Sequence, residues 1–262
     1  MLAFVGIGLH DERDITLKGL EMARKCDRVY MEHYTSVMDM DMKKLEGMIG
    51  KKVEMLSREE VEEGGKIIEE AKEMDVCLLV PGDPMMATTH VELRLRAMEE
   101  GIETSVIHGI SIITASAGLL GLQIYKFGRV VSIARPYENY FPLSPYDRIK
   151  ENVKAGFHTL LLLDIGEKPM TANEGMEILL EMERRKGDGI ISPDTLIAVV
   201  ARASSKDAMT RAGYIKNLIN EDFDSPPHCI IIPGDMHFME AQALVKIAGA
   251  PENILKKFRR DN

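Results

Sequence analysis

Short apolar runs alternate with segments of helical periodicity along most of the chain. Unbroken apolar runs are typical of strands covered on both faces of a parallel sheet. The pattern predicts strands at 2–9, 28–32, 76–80, 103–107, 129–134, 158–163, 196–201 and 229–232. Apolar residues at helical spacing predict helices at 14–25, 59–74, 89–100, about 111–120, 147–155, 172–186, 238–247 and, in the basic tail, 252–262. The alternation in both halves predicts an α/β fold with mainly parallel strand pairing.

Two of the predicted helices carry start and stop signals. Residues 89–100 fit either a strand or a helix, because their apolar residues alternate as well as recur at helical spacing. The segment 89–92, Thr-His-Val-Glu, has the spacing of a capping box, and Gly101 is suited to end a helix, so we expect a helix there. The segment 171–174, Thr-Ala-Asn-Glu, predicts a second capping box, and Gly187 predicts the end of that helix.

Charge and composition exclude several classes of protein. The chain of 262 residues carries 33 Lys and Arg against 42 Asp and Glu, a net charge of −9. This excess speaks against bulk binding to nucleic acid or to an anionic membrane, which needs clustered positive charge. The first nine residues are apolar without a basic flank, which favours a strand over a signal peptide. No apolar run approaches the roughly 18 residues of a membrane helix.

Cysteine and histidine spacing gives no support for a disulfide framework or a metal site. Cys26, Cys77 and Cys229 lie far apart and are odd in number, so we expect small buried hydrophobic residues in a cytoplasmic protein. The seven histidines form no pair at the spacing of a helical metal site. We therefore expect no metal.

The loops after the apolar runs are the candidate binding elements, because ligands of parallel sheets lie outside the carboxyl ends of strands. The first loop has Gly6 and Gly8 without the third glycine of a dinucleotide fingerprint, and its acidic residues disfavour a pyrophosphate. After 76–80 comes Pro-Gly-Asp-Pro, 81–84. Its Asp83 either bonds the backbone of a tight turn or accepts a hydrogen bond from a ligand.

Two other segments allow both a structural and a functional interpretation. Ser111 either caps the next helix or presents its backbone N–H to a ligand. The segment 135–146 contains three prolines and four aromatic residues, so we expect it to be irregular. It is either an ordered loop that packs on its own domain or a surface for a substrate or partner.

The Gly-Asp-Pro segment resembles the corresponding loop of tetrapyrrole-methylase-type (class III) S-adenosylmethionine-dependent methyltransferases. The longer string at 80–90 resembles the diphthine synthase branch of that family. Further blocks that resemble this branch occur in order at 8–20, 124–128, 162–165, 170–174, 211–214 and 226–228. One departure is the His-Gly-Ile-Ser-Ile segment at 108–112, where relatives often carry Pro or Ala before the serine.

The resemblance implies a fold, a cofactor and a reaction. It implies two α/β domains, 1–122 and 123–262, with S-adenosylmethionine in the cleft between them, in a cytoplasmic homodimer. The implied reaction trimethylates the amine of a 3-carboxy-3-aminopropyl group on a modified histidine of translation elongation factor 2, and releases S-adenosylhomocysteine. Cofactor contacts in the family fall at positions that match Leu9, Asp83, Met86, Ser111, Ile112, Leu163, Ala203 and His228.

The chemistry of this reaction is compatible with the residues. The cofactor has no phosphate and carries a positive sulfonium, so an acidic first loop is no obstacle. The leaving group is a neutral sulfur, alignment can supply much of the acceleration, and desolvation lowers the pKa of the acceptor amine. We therefore expect no essential protein base. The alternatives are a related methyltransferase for a corrinoid precursor or RNA, and a non-catalytic protein that binds a nucleoside ligand.

Overall fold

A computed structural model describes residues 1–138, 140–166 and 168–258. The chain divides into two units that each have their own core, Met1–Ile112 and Ile113–Asn262. This division lies in the first turn of a helix at Ile112–Leu120. The sequence places the domain boundary after that helix, at residue 122, and this placement stays a prediction.

The first unit contains a parallel sheet with helices between its strands. Its elements are β1 (Leu2–Gly6), α1 (Leu17–Lys25), β2 (Arg28–Glu32), α2 (Met42–Ile49), β3 (Glu54–Leu56), α3 (Arg58–Glu63), α4 (Gly65–Glu73), β4 (Val76–Val80), α5 (His90–Glu99) and β5 (Thr104–Ile107). The strand order is β3-β2-β4-β1-β5, and every neighbouring pair is parallel. The prediction of a parallel sheet is confirmed in this unit.

Side chains of β1 and β4 alternate between two cores, one on each face of the sheet. Ala3 and Val5 pack in one core, together with buried residues of α1 and α2. Leu2 and Phe4 pack in the other, together with buried residues of α4 and α5. All five residues of each strand are buried, as the unbroken apolar runs predict.

The second unit contains a mixed sheet. Its elements are α6 (Ile112–Leu120), β6 (Val131–Ile133), α7 (Ser144–Lys154), β7 (Thr159–Leu163), α8 (Ala172–Lys186), β8 (Leu196–Ala201), β9 (Met209–Tyr214), α9 (Ile215–Leu218), β10 (His228–Ile232) and α10 (Phe238–Ala248). The strand order is β6-β7-β10-β8-β9.

Mainly parallel pairing is a wrong prediction for this sheet. Among the described strands of this sheet, β6 and β7 pair in parallel, whereas β10 runs antiparallel to both β7 and β8, and β9 runs antiparallel to β8. The link between β8 and β9 is too short for the crossover that parallel neighbours need. β10 lies between β7 and β8 and runs opposite to both. An apolar run in the sequence encodes neither the neighbours of a strand nor its direction.

Several element predictions also need correction. The helix expected at 59–74 is two helices, because Gly64 ends α3 in the left-handed region at φ +63°. Thr89 makes no capping hydrogen bond, since its backbone is already helical rather than extended. Among the α-helices and strands of the described residues, four were not predicted by the apolar pattern, namely α2, β3, β9 and α9.

The aromatic segment and the tail agree with the predictions in part. α7 begins at Ser144, so the last residues of 135–146 are helical, and Pro145 suits a first helical turn. Residue 139 lies outside the described residues. The tail forms a 3₁₀ helix at Glu252–Phe258, and the rest of the predicted tail helix, 259–262, lies outside the described residues.

Two further expectations concern the cysteines and membrane-spanning helices. Cys26, Cys77 and Cys229 are all buried free thiols, as the sequence predicts. Over the described part of the chain, none of the helices combines the length and the apolar character that crossing a bilayer requires.

Candidate active site

Three glycines pack backbone against backbone at the carboxyl ends of β1, β4 and β5 in the first unit. A Cβ on Gly6 would lie 2.5 Å from the nitrogen of Gly109 and 2.6 Å from the carbonyl oxygen of Gly82. A Cβ on Gly109 would also collide with the Gly82 carbonyl. The absence of side chains therefore lets the loops after β1, β4 and β5 touch, a packing role that the sequence did not indicate.

A two-residue bridge joins the first loop to the Gly-Asp-Pro loop. The Gly8 N–H donates to the Gly82 carbonyl at 3.3 Å, and the Gly82 N–H donates to the Gly8 carbonyl at 2.7 Å. Both glycines have positive φ, +82° for Gly8 and +71° for Gly82. This conformation is readily adopted only by glycine, so the two residues fix the path of both loops.

Asp83 is buried at the end of β4, with only 5% of its side chain exposed. Its Oδ1 accepts a hydrogen bond from the Met85 N–H at 3.0 Å, which is the turn interaction that the structural interpretation expects. Its Oδ2 accepts a hydrogen bond from Nδ1 of His108 at 2.7 Å. A carboxylate accepts about four hydrogen bonds, so these two contacts leave acceptor capacity for a ligand.

The carbonyl of Pro84 is held by the start of α5. It accepts hydrogen bonds from Oγ1 of Thr88 at 2.7 Å and from Nδ1 of the buried His90 at 3.3 Å. Nε2 of His90 in turn contacts the Tyr34 hydroxyl at 3.3 Å. Burial lowers the pKa of His90 and raises the pKa of Tyr34 to about 12, so both are neutral near pH 7. The Gly-Asp-Pro loop is therefore held in place by Thr88 and His90, and His90 in turn by Tyr34.

The first loop is folded around its own acidic residues. Oδ2 of Asp14 accepts hydrogen bonds from the N–H groups of Leu9 at 3.1 Å and His10 at 2.9 Å. The N–H of the candidate Leu9 is therefore engaged within the loop. A ligand at this position would contact the apolar side chain or the carbonyl of Leu9.

The other candidates of the first unit lie on two loops at the same edge of the sheet. Met86 is exposed on the Gly-Asp-Pro loop and is the last residue of a turn, which its N–H closes by donating to the Asp83 carbonyl. Ser111 and Ile112 are half-buried at the start of α6. The first unit thus brings Leu9, Asp83, Met86, Ser111 and Ile112 to the carboxyl edge of its sheet.

In the second unit, Leu163 is the last residue of β7 and is half-buried. The residue after it, Asp164, accepts a hydrogen bond from the Arg135 N–H at 3.1 Å. The Arg135 guanidinium also forms an ion pair with Glu174 at 3.0 Å, in the first turn of α8. These contacts join the loop after β7, which follows Leu163, to the loop after β6 and to the first turn of α8.

Ala203 lies in a loop with an unusual backbone. Its neighbours Arg202 and Ser204 have φ of +49° and +74°, a region that residues other than glycine rarely adopt. The Arg202 guanidinium stabilises this loop through the carbonyls of Phe223, Ser225 and Asp207. Strained backbone of this kind persists only where the surroundings fix it and is frequent at functional sites.

Both ring nitrogens of His228 have partners inside the second unit. Nδ1 accepts a hydrogen bond from the Ala172 N–H at 3.1 Å, and Nε2 donates to the Ser225 carbonyl at 3.1 Å. Burial lowers the pKa of His228, in agreement with a neutral ring. A ligand at this position would therefore meet the backbone or the ring face of His228 rather than a free nitrogen.

Sequence reasoning missed the residues that support Asp83. His108, His90 and Tyr34 were not among the candidate site residues, although all three contact the Gly-Asp-Pro loop or a residue bound to it. The position of His108 directly after a predicted strand was the one available signal. The contacts themselves depend on segments distant in the sequence.

The residues of the first unit fit a cationic ligand better than a phosphate. The carboxyl edge offers the buried Asp83 carboxylate, whereas in the first loop Asp11 is paired with the Arg13 guanidinium and Asp14 accepts backbone N–H groups of its own loop. Apolar side chains of Leu9 and Met86 lie on the same loops. This combination suits an adenosyl sulfonium compound, which carries positive charge, hydroxyl groups and an apolar ring. Over the described residues, no cluster of side chains suited to a metal ion is present.

Comparison with known proteins gives matches over nearly the whole chain. Residues 1–219 match the family of tetrapyrrole (corrin/porphyrin) methylases. The chain is 49% identical to the diphthine synthase of Methanothermobacter thermautotrophicus over 98% of this chain and 99% of that protein. It is 53% identical to the diphthine synthase of Methanocaldococcus jannaschii over 93% of this chain and 97% of that protein.

Solved structures give the same result. The crystal structure of a diphthine synthase superposes with a TM-score of 0.90 at 38% identity and covers 97% of this chain and 98% of that one. The structure of a putative diphthine synthase from Entamoeba histolytica has a TM-score of 0.88 at 40% identity, with 96% and 99% of the two chains covered.

Proposed function

The chain belongs to the family of tetrapyrrole (corrin/porphyrin) methylases, and on that premise we propose that it catalyses the diphthine synthase reaction. It transfers methyl groups from S-adenosylmethionine to the amine of a 3-carboxy-3-aminopropyl group on a modified histidine of translation elongation factor 2. Three transfers give a trimethylammonium group, and each releases S-adenosylhomocysteine.

The observation that carries this proposal is the match to diphthine synthases, which extends over nearly the full length of this chain and of the matched proteins. Because the match includes both units, it covers the Gly-Asp-Pro loop as well as the loops at Leu163, Ala203 and His228. Identity near one half over such a length argues for a shared reaction rather than a shared fold alone.

Each transfer is a displacement at the methyl carbon. The amine lone pair forms the N–C bond, the C–S bond breaks, and its electron pair stays on sulfur. S-adenosylmethionine supplies the activated methyl group when it is bound. We propose that Asp83 accepts hydrogen bonds from its amino-acid or ribose end and that Leu9, Met86, Ser111, Ile112, Leu163, Ala203 and His228 complete its contacts.

The chain's own contribution to the rate is alignment of the reacting atoms. Well-oriented groups can lower a barrier by about 7–11 kcal/mol. The loops around Asp83 are suited to this task because three elements hold them, through the Gly8–Gly82 bridge, the His108 contact and the Pro84 carbonyl. The proton of the amine leaves to solvent, with no essential protein base.

The proposal is tested with radiolabelled S-adenosylmethionine and unmethylated elongation factor 2 that carries the 3-carboxy-3-aminopropyl group. Label and mass increments of three methyl groups on the modified histidine are expected. Transfer to RNA or to a corrinoid precursor, with none to the factor, would instead identify a related methyltransferase. Binding of the cofactor without transfer to any of these acceptors would identify a nucleoside-binding protein.

The assembly and the location of the protein belong to the same proposal. We propose a cytoplasmic homodimer without direct contact to nucleic acid or membrane. The net charge of −9 supports the last point, because nucleic acid and anionic lipid repel an acidic protein. Sedimentation equilibrium tests the dimer, and a monomer at micromolar concentration would contradict it.

A further inference from the structure

His108 differs from the buried histidines in its surroundings. Its side chain is 69% exposed, whereas the Asp83 carboxylate that it contacts is 5% exposed. Nδ1 of His108 lies 2.7 Å from Oδ2 of Asp83, a short distance typical of a hydrogen bond to an ionised acceptor. An exposed ring that forms one short hydrogen bond to a buried carboxylate is placed to fix the orientation of that carboxylate.

The backbone of His108 is fixed by the glycine packing described above. Its neighbour Gly109 lies against the Gly82 carbonyl and Gly6. β1 separates β4 from β5 in the sheet, but the loops that follow β4 and β5 meet at Gly82 and Gly109. The His108 side chain adds a hydrogen bond between these two loops.

Two elements together restrain the Asp83 side chain. Oδ1 is held by the Met85 N–H of its own loop, and Oδ2 is held by His108 from the loop after β5. Because a carboxylate only accepts hydrogen bonds, Nδ1 of His108 must be the donor. Because both oxygens are held, the carboxylate cannot rotate freely. Its orientation is therefore set before a ligand binds, which lowers the entropic cost of binding.

We propose that His108 is a positioning residue that orients Asp83 for the adenosyl cofactor. This inference rests on the proposed function, in which Asp83 contacts the cofactor. His108 acts through Asp83 and supplies a hydrogen-bond donor at the position of Nδ1. The property that matters is therefore the donor and not the charge or the bulk of the ring.

The test compares two substitutions of nearly equal shape. In His108→Asn the side-chain amide N–H can replace the Nδ1 donor, whereas His108→Leu fills the same space without one. Calorimetry with S-adenosylhomocysteine should give a Kd within about threefold of wild type for His108→Asn. It should give a Kd about tenfold weaker for His108→Leu, the effect of one hydrogen bond to a charged group.

Kinetics and a second substitution separate positioning from a general loss of structure. In His108→Leu, the KM for S-adenosylmethionine should rise more than kcat falls. In an Asp83→Asn background, His108→Leu should have little further effect, because the two residues act as one unit. His33→Leu, a change of an exposed histidine after β2, serves as the matched control and should bind like wild type.

The possible results are distinguishable. Equal affinity of wild type and His108→Leu would overturn the inference and leave the proposed function intact. Equal losses in His108→Asn and His108→Leu would also overturn it, because the donor would not be the deciding property. If wild type itself failed to bind S-adenosylhomocysteine, the proposed function would be refuted, and this inference with it.

Discussion

The backbone of Gly109 lies so close to Gly6 that a Cβ on Gly6 would stand 2.5 Å from the Gly109 nitrogen. Gly6→Ala should therefore reduce the free energy of unfolding by about 3 kcal/mol or more, since backbone atoms cannot move away as a flexible side chain can. Urea unfolding followed by circular dichroism measures this change.

Gly47→Ala is the matched control for that substitution. Gly47 lies in the middle of α2, and a Cβ there would meet no atom within 4 Å. Replacing an exposed helical glycine by alanine should stabilise the chain by about 0.5–1 kcal/mol. Similar losses in both variants would show that the close packing at Gly6 is not the cause.

The charge of Asp83 is expected to contribute to cofactor affinity. Asp83→Ala and Asp83→Asn should each weaken binding of S-adenosylhomocysteine about tenfold, because a hydrogen bond to an ionised acceptor is lost. The fold should remain intact, since the loop after β4 is also held by the backbone hydrogen bonds between Gly8 and Gly82. Calorimetry measures the affinity and thermal unfolding checks the fold. An unchanged Kd in both variants would exclude a cofactor role for Asp83.

Methyl transfer is expected to proceed without an essential protein base. At saturating substrate, the single-turnover rate should rise about tenfold per pH unit until the acceptor amine is deprotonated, with no further inflection. His10→Asn, which removes an ionisable group from the loop after β1, should leave this profile unchanged. Loss of turnover with both substrates still bound would contradict the expectation.

Three buried histidines make the stability of the fold sensitive to acid. Burial lowers the pKa of His90, His158 and His228 below the ordinary value of 6.5. As the pH falls through 6.5, the unfolded chain takes up protons that the folded chain does not. Stability is therefore present above this pH and is lost as the pH falls from 6.5 towards the lowered pKa of the folded state, by at most about 1.4 kcal/mol per pH unit for each histidine.

Urea unfolding between about pH 7.5 and 5.5 measures this slope. His90→Gln should reduce the slope, because it removes one of the three groups. Glu240 adds a separate loss at lower pH. Burial alone would raise its pKa, but hydrogen bonds from Lys126, two backbone N–H groups and His158 outweigh burial and lower it to about 2. A flat profile down to pH 5.5 would contradict the assignment of neutral buried histidines.

The aromatic segment contains one packed part and one exposed part. Tyr146 is buried and donates to Glu183 at 2.7 Å, and Phe141 lies under the Arg185 guanidinium at 4.0 Å. The rings of Tyr137 and Tyr140 lie 5.6 Å apart at an angle of 51° and are mostly exposed. The packing interpretation therefore holds for the first pair, and the partner interpretation stays a prediction for the second.

A photoreactive amino acid at position 137 or 140 tests the partner interpretation. We expect crosslinks to elongation factor 2, because exposed aromatic rings are frequent in protein interfaces. The same amino acid at the exposed Leu17 of α1 provides the background level. Crosslinking at 137 and 140 no higher than at Leu17 would show that these tyrosines do not face the factor.

The sequence by itself determined much of the local structure. The unbroken apolar runs at 76–80 and 196–201 coincide with β4 and β8, because a strand covered on both faces needs such a sequence, and the strand predicted at 28–32 coincides with β2. The helix predicted at 172–186 has both its capping box and its terminal glycine, since these signals act through hydrogen bonds between residues close in the chain. The resemblance also identified the family before any coordinates.

Only the tertiary structure decided the direction of β10, the packing of Gly6 against Gly109 and the contact of His108 with Asp83. An apolar run reports that a strand is buried, but not which neighbours it has or in which direction they run. The lack of side chains at Gly6 and Gly109 allows their backbones to touch. His108 contacts a carboxylate that lies 25 positions away in the sequence. Such relationships arise where distant segments meet, and no local pattern of residues encodes them.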